Sequence, residues 1–227
     1  MNRGLRLLWV APAVAGLGWL SAYAVSIGVA GSTVFDAGVS MKSWSASRVR
    51  QPANEALPGI RELLTQAQSS APRDPAIHEL LGLIDARTSN GQENLARAAL
   101  EFTRAIQLRP TSPQTWSDLA AVDYRLGDTG PRFEAAIAHA AELGKFEPDV
   151  QAIVANYGLA TWSEVGPKTR ASVEATIAAA AKRNPLEMLQ IAERRGRLDL
   201  VCRHLAGPTR QTEPKWSQLC QSMEATS

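Results

Sequence analysis

The sequence predicts an all-α protein, with one N-terminal transmembrane helix followed by a short α-solenoid of helical hairpins. Residues 7–35 contain no charged side chain, and this run is long enough for a helix that spans a bilayer. Alanine dominates the middle of the chain, whereas β-branched runs with a period of two do not occur. A period typical of helical repeat arrays is marked by Pro72, Pro110, Pro148 and Pro185, at intervals of 38, 38 and 37 residues.

The N-terminal apolar run is predicted to be an uncleaved membrane anchor. Arg3 and Arg6 precede it, so residues 1–6 are expected in the cytoplasm and the C-terminal part on the other side, which in a bacterium is the periplasm. The expected location is therefore the bacterial inner membrane, crossed once. A cleaved signal peptide that leaves Gly31 as the first residue is the alternative, but the apolar stretch of a signal peptide usually covers only about 7–15 residues.

The rest of the chain divides into a tether at residues 36–56, a helical repeat domain at 57–206, and a C-terminal tail with a capping helix at 207–227. A helix-like run ends at each of the last three periodic prolines, because proline cannot continue a helix. Each period therefore contains two helices. The first helices are predicted at 76–87, 113–126 and 149–162, the second at 94–107, 133–143 and 168–182, an incomplete unit at 57–69, and a terminal pair at 186–195 and 198–205.

Apolar residues form stripes on these helices. Ala98, Phe102 and Ala105 share one face at helical spacing, and Trp116 and Leu119 share a face of the next helix. A single hairpin cannot cover such a stripe, so we expect neighbouring hairpins to stack on one another.

The same residues resemble the tetratricopeptide repeat. The alanine, phenylalanine and proline positions between residues 98 and 110 match the second-helix pattern of that family. Trp116, Leu119 and Ala120 match its first-helix pattern, with alanine in place of the usual glycine. The resemblance implies a tetratricopeptide-like solenoid, but the period is 38 residues where the family has about 34. The additional residues fall between the two helices of a hairpin, as at 128–131.

A narrower resemblance covers residues 72–202. The strings TWSDLAAVDYRLGD, FEAAIAHAAELGKFEPDVQ and GRLDLVC are similar to those of VpsP-type accessory proteins of bacterial exopolysaccharide gene clusters. Those proteins have one N-terminal membrane helix and a small repeat-like helical domain. The resemblance implies a role in polysaccharide biosynthesis or export. Together with the repeat pattern, it leads us to interpret the protein as a scaffold that binds other proteins of a polysaccharide assembly machine.

The sequence contains no recognisable catalytic or cofactor motif. GxSxG, HExxH, GxGxxG and GxxxxGK[ST] do not occur, and His78, His139 and His204 lack a second metal ligand at helical spacing. We therefore expect no enzyme, no cofactor and no metal site. Asp118 and Asp123 are five residues apart and are expected on a solvated face. The part beyond the anchor is nearly neutral, so no nucleic-acid partner is expected.

Four side chains are candidates for an inner binding groove. Arg87, Tyr124, Arg125 and Trp162 lie eight or nine residues beyond the packing position of their first helices. Converging aromatic and arginine side chains are used in peptide and sugar recognition. Two interpretations stay open, since these residues either contact a ligand or pack between hairpins. A ligand would be a partner protein or, alternatively, a glycan of the same pathway. A polysaccharide-modifying enzyme is the remaining rival, for which the sequence offers no nucleophile–base pair.

Two further features lie near the C-terminus. Cys202 and Cys220 would form a disulfide in an oxidising compartment, and the chain-entropy model assigns a loop of this length about 3 kcal/mol. Two free buried thiols are the alternative. The basic run at residues 194–197 is interpreted as favourable charge at a helix C-terminus, which leads through Gly196 into the next helix.

Overall fold

The computed structural model describes residues 16–25, 28–29, 31–32, 57–88, 91–205, 218 and 220–221. These residues form helices joined by turns and bends, and no β-strand occurs among them. The predicted all-α class is therefore confirmed.

The predicted anchor lies partly outside the described residues. Within 7–35, residues 16–25 form helix α1, and residues 28–29 and 31–32 are also helical. In the ranges that the structure describes, no helix is both long enough and apolar enough to cross a membrane. The predicted tether at 36–56 and most of the tail at 207–227 lie outside these ranges.

The helices after α1 agree with the predicted bounds to within two residues, apart from the end of the last one. That helix stops at Cys202 instead of residue 205, because the backbone N–H groups of His204 and Leu205 bond three residues back, to the carbonyls of Val201 and Cys202. Proline is the first residue of α3 and of α5 to α9, where its missing N–H costs no helical hydrogen bond. The bounds are α2 Leu57–Ser70, α3 Pro75–Thr88, α4 Gln92–Leu108, α5 Pro113–Leu126, α6 Pro131–Leu143, α7 Pro148–Ala160, α8 Pro167–Ala181, α9 Pro185–Arg194 and α10 Leu198–Cys202.

The chain forms two compact units, residues 1–88 and 89–227. In the first unit, α2 and α3 pack as a hairpin around Leu64, Ile77 and Ile84, which are fully buried. Asp85 is buried in the same hairpin, and its carboxylate lies 3.3 Å from the guanidinium group of Arg61. The incomplete unit predicted at 57–69 is thus α2, and it packs against α3.

The second unit stacks its helices in two layers. Helices α5, α7 and α9 contact one another in sequence, while α6, α8 and α10 form the second layer. Phe102, Phe133 and Ile177 fill the space between the layers and are almost completely buried. Gly158 lets α7 approach α8 closely, because a Cβ atom at this position would lie 2.4 Å from Cγ2 of Val173. Stacked hairpins of this kind build a helical solenoid.

A buried ion pair joins α5 to α6. Asp123 is fully buried and accepts hydrogen bonds from Nη2 of Arg132 at 2.6 Å and from its Nε at 2.9 Å. The expectation that Asp123 lies on a solvated face is wrong, because an arginine from the next helix satisfies the buried carboxylate. Burial raises the pKa of the Asp123 carboxyl, and the hydrogen bond and charge of Arg132 act against that rise.

Candidate functional site

Two tyrosines form the centre of the candidate site in the layer of α5, α7 and α9. Tyr124 lies in the last turn of α5 and Tyr157 lies on α7, and both rings are half-buried. Their centroids are 5.0 Å apart and their planes are inclined by 49°. Tilted aromatic pairs at this separation have a favourable quadrupole arrangement.

Arg195 covers this tyrosine pair from the turn after α9. Its Cζ atom lies 5.7 Å from the centroid of the Tyr124 ring, within the usual range of a cation–π contact. Its Nε donates to Oδ1 of Asn156 on α7 at 3.0 Å, which fixes the guanidinium plane. Gly196, with φ of 64°, then reverses the chain in a conformation that favours glycine.

A second aromatic–arginine contact forms around Trp162. Helix α7 ends at Ala160, two residues earlier than predicted, and the Thr161 hydroxyl donates to the Tyr157 carbonyl at 2.9 Å as the chain turns. Trp162 therefore lies in the turn after α7. The Cζ atoms of Arg197 and Arg170 are 5.7 Å and 6.0 Å from the centroid of its ring.

We call Tyr124, Tyr157, Trp162, Arg170, Arg195 and Arg197 the aromatic–arginine cluster. Arg125, which is exposed on the last turn of α5, and Asp118, which lies on the same helix, act electrostatically on its centre. Burial raises the pKa of the Tyr157 phenol, while the positive charges of Arg125 and Arg195 lower it. The charges of Arg125 and Arg195 thus act on the tyrosine pair, and the charge of Asp118 opposes them.

The cluster contains some of the predicted groove residues and several that sequence reasoning missed. Tyr124, Arg125 and Trp162 all belong to the second unit. Arg87 is exposed in the last turn of α3 and belongs to the first unit. Tyr157 was missed because the 38-residue step aligns it with Leu119, a fully buried core residue.

The arginines of the cluster were missed for a different reason. Arg195 and Arg197 belong to the basic run interpreted as favourable charge at the end of a helix, and α9 does end at Arg194. Their guanidinium groups, however, extend to the rings of Tyr124 and Trp162. The sequence did contain a signal for them. Arg195 and Arg197 flank Gly196, and the turn at this glycine places both side chains on the same helix layer.

Both interpretations of the groove residues stay open. Tyr124 and Trp162 are half-buried, and each ring has a guanidinium group over it. Arg195 and Arg197 are half-buried residues too, and the Arg197 side chain, which is 33% exposed, also lies 3.6 Å from the Asp199 carboxylate. Guanidinium groups bind carboxylates through paired N–H donors, and this is the chemistry that the cluster offers.

The two cysteines are bonded to each other in the structure. Cys202 ends α10, its Cα lies 5.5 Å from that of Cys220, and both side chains are buried. The bond ties residue 220 to the end of the helix stack. Among the described residues, no group of three His, Cys, Asp or Glu side chains is arranged to hold a metal ion.

No protein-family model matches this chain, and a search of curated proteins likewise found no match.

Proposed function

We propose that this protein is a membrane-anchored scaffold of bacterial exopolysaccharide biosynthesis or export, with its repeat domain in the periplasm. The resemblance over residues 72–202 supports the pathway. The uncharged run at 7–35, preceded by Arg3 and Arg6, supports inner-membrane anchoring and this orientation. The stacked hairpins support a tetratricopeptide-like solenoid that acts by protein–protein interaction, without covalent chemistry.

The observation that carries the binding role is the placement of Arg195 and Arg197 over aromatic rings. A sugar ring that stacks on an aromatic side chain needs a free ring face, and in the cluster guanidinium groups already lie over the Tyr124 and Trp162 rings. A carboxylate needs no such displacement, because it binds the guanidinium N–H groups directly. We therefore propose that the ligand is an acidic segment of a partner protein and that it binds to the aromatic–arginine cluster.

The test is complementation of a strain that lacks the gene. Wild-type protein should restore the extracellular polysaccharide, whereas the Arg195→Ala/Arg197→Ala variant should not, although its melting temperature should stay close to that of the wild type. Arg97→Ala/Arg104→Ala is the matched control, because it removes two arginines from the surface of α4 that pair with acidic residues on their own helix. Normal polymer from the deletion strain would remove the pathway from the proposal.

A photo-cross-linker placed at position 125 separates the two kinds of ligand. Arg125 is exposed, so a benzoylphenylalanine in its place leaves the core undisturbed. A protein adduct that disappears in the Arg195→Ala/Arg197→Ala background supports the scaffold. An adduct with polysaccharide alone would instead establish the glycan-binding alternative.

A further inference from the structure

Helix α10 lies between the aromatic–arginine cluster and the disulfide bond. It runs from Leu198 to Cys202, so Arg197 of the cluster directly precedes its first residue, and the bonded cysteine is its last. Helices this short are marginal by themselves, because few backbone hydrogen bonds offset the cost of ordering the chain. The position of α10 therefore depends on what holds it from outside.

Three kinds of contact hold α10 at the end of the stack. Leu200 and Val201 are buried, and the helix contacts α8 and α9. In the turn after it, Arg203 and His204 lie 3.0 Å and 3.4 Å from the Glu174 carboxylate of α8. The arginine and the glutamate are each more than a third exposed, and ion pairs of this kind contribute little to stability. The disulfide is the third contact, and it is covalent.

Asp199 connects α10 to the guanidinium group of Arg197. Its Oδ1 lies 3.6 Å from Nε of Arg197, which is beyond hydrogen-bond length, so the attraction is electrostatic. Its Oδ2 lies 3.9 Å from the guanidinium group of Arg203. The backbone of Arg197 is fixed separately, because its N–H donates to the Ala192 carbonyl of α9 at 2.9 Å. What α10 adds is the direction of the side chain.

Arg195 shows the same arrangement in the same cluster. Its Nε donates to Asn156, while its guanidinium group lies over a tyrosine ring. In Arg197 the Asp199 carboxylate faces Nε, and the Cζ atom lies 5.7 Å from the centroid of the Trp162 ring. A carboxylate that approaches Nε leaves the two Nη groups for the paired contact with a ligand carboxylate. Asp199 therefore orients the cation without taking the place of a ligand.

We propose that the Cys202–Cys220 disulfide, acting through α10 and Asp199, positions Arg197 over Trp162, so that the cluster is complete only in the oxidised protein. Without the bond, residue 220 is released, and α10 is held by apolar contacts and surface charges alone. The Asp199 carboxylate then has no fixed place beside Nε of Arg197. This regulation rests on the proposed function, because it concerns the site proposed to bind an acidic partner.

The oxidation occurs once, when the chain matures. The two thiols lose two protons and two electrons as the S–S bond forms, and an oxidant that is itself a disulfide accepts them and becomes a dithiol. Cys202 and Cys220 are then 4% and 1% exposed, so an external thiolate has little access to either sulfur. A reduced chain consequently carries an incomplete site, whereas an oxidised chain keeps a complete one.

The test follows the indole of Trp162 by fluorine NMR of the full chain, labelled with 5-fluorotryptophan, in a mild detergent. Trp162→Phe and Trp116→Phe assign two resonances, and Trp116, which stacks on a histidine of α6, is the internal control. Cys202→Ala/Cys220→Ala should move the Trp162 resonance towards its position in Arg197→Ala and leave that of Trp116 in place. Wild-type chain purified in dithiothreitol should show the same movement, and oxidation by glutathione disulfide should reverse it.

Two further variants make the result specific. In the Arg197→Ala background, removal of the disulfide should leave the Trp162 resonance unmoved, because the side chain that the bond positions is gone. Asp199→Asn keeps the disulfide and the size of the side chain, and it should move the resonance in the same direction. An unmoved resonance in Cys202→Ala/Cys220→Ala or in Asp199→Asn overturns the inference. An equal movement in the Arg197→Ala background, or a movement of the control resonance, does so as well.

Partner binding is measured separately, with the photo-cross-linker at position 125. The yield of protein adduct should fall several-fold in Cys202→Ala/Cys220→Ala, to that of Arg197→Ala, and a yield equal to that of the wild type overturns the regulatory role. Normal polymer from Arg195→Ala/Arg197→Ala would remove the proposed function and leave the movement of the Trp162 resonance standing. Failure of the proposed function and failure of this inference are thus read from different measurements.

Discussion

The Asp123–Arg132 pair gives the most demanding test of the fold. Changing Arg132 to Met removes both hydrogen-bond donors but keeps an apolar stem of similar length. The Asp123 carboxylate, which has no solvent-exposed surface, then remains buried without its partner. Removing one partner of a buried ion pair costs about 3–5 kcal/mol in the free energy of unfolding. The Arg132 side chain is 47% exposed, so water can approach the vacated site, and we expect about 3 kcal/mol at pH 7.

The loss should depend on pH in a defined direction. Burial already raises the pKa of Asp123, and Arg132 opposes that rise, so the pKa in Arg132→Met is higher still. Above about pH 3.9 the unfolded chain ionises this carboxyl while the folded variant holds its proton, so stability falls as the pH rises through this window. The difference between variant and wild type should therefore be largest at pH 7 and smaller at pH 4.5.

The chain itself suggests the matched rescue variant. Thr161 occupies the repeat position equivalent to Asp123, is also buried, and donates its hydroxyl to the carbonyl four residues earlier. Asp123→Thr in the Arg132→Met background should thus recover more than half of the loss. Urea unfolding followed by far-ultraviolet circular dichroism measures all three proteins at both pH values. A loss below about 1 kcal/mol at pH 7, or an equal loss at both pH values, would refute the reasoning.

Two further predictions concern the α7 helix. Gly158→Ala should lower the free energy of unfolding by about 1–2 kcal/mol, because the cost of overpacking against Val173 exceeds the gain in helix propensity. Adding Val173→Ala to this variant should restore much of the lost stability, as measured by thermal unfolding. If Gly158→Ala raised the melting temperature, the close contact would not exist. The Tyr157 phenol should titrate above about pH 10, and at a still higher pH in Arg195→Gln, which lacks one of the positive charges that lower its pKa. Phenolate absorbance measures this titration, and the part that is lost in Tyr157→Phe belongs to Tyr157. The unfolded state releases this proton first, so the contribution of Tyr157 to stability declines as the pH rises above 10, and a midpoint below 10 would contradict its burial.

The helices were predictable from the sequence because the signals for them are local. Prolines that follow helix ends, apolar spacing and the 38-residue step identify α5 with its exact bounds and the other long helices to within two residues. The stacking of hairpins also followed, since a hairpin with an apolar stripe must bury it.

The partners of buried side chains were less predictable, because the repeat keeps a position buried while the residue at that position changes from one repeat to the next. Asp85 and Asp123 occupy equivalent buried positions, but Arg61 from the preceding helix pairs with the first and Arg132 from the following helix with the second. Thr161 fills the next equivalent position without an ion pair. Periodicity therefore identifies the buried position, whereas its chemistry depends on which neighbouring helix supplies a cation.

The aromatic–arginine cluster follows the same logic on a larger scale. Tyr124 comes from α5, Tyr157 from α7, and Arg195 from the turn after α9, so three successive hairpins contribute to the site. The contact between the two tyrosines spans 33 residues of sequence and the contact between Tyr124 and Arg195 spans 71, about one and two repeat steps, so no single repeat contains the arrangement. The site therefore exists only when these hairpins are stacked in register. A change such as Gly158→Ala, which pushes α7 away from α8, should accordingly weaken partner binding without altering any residue of the cluster.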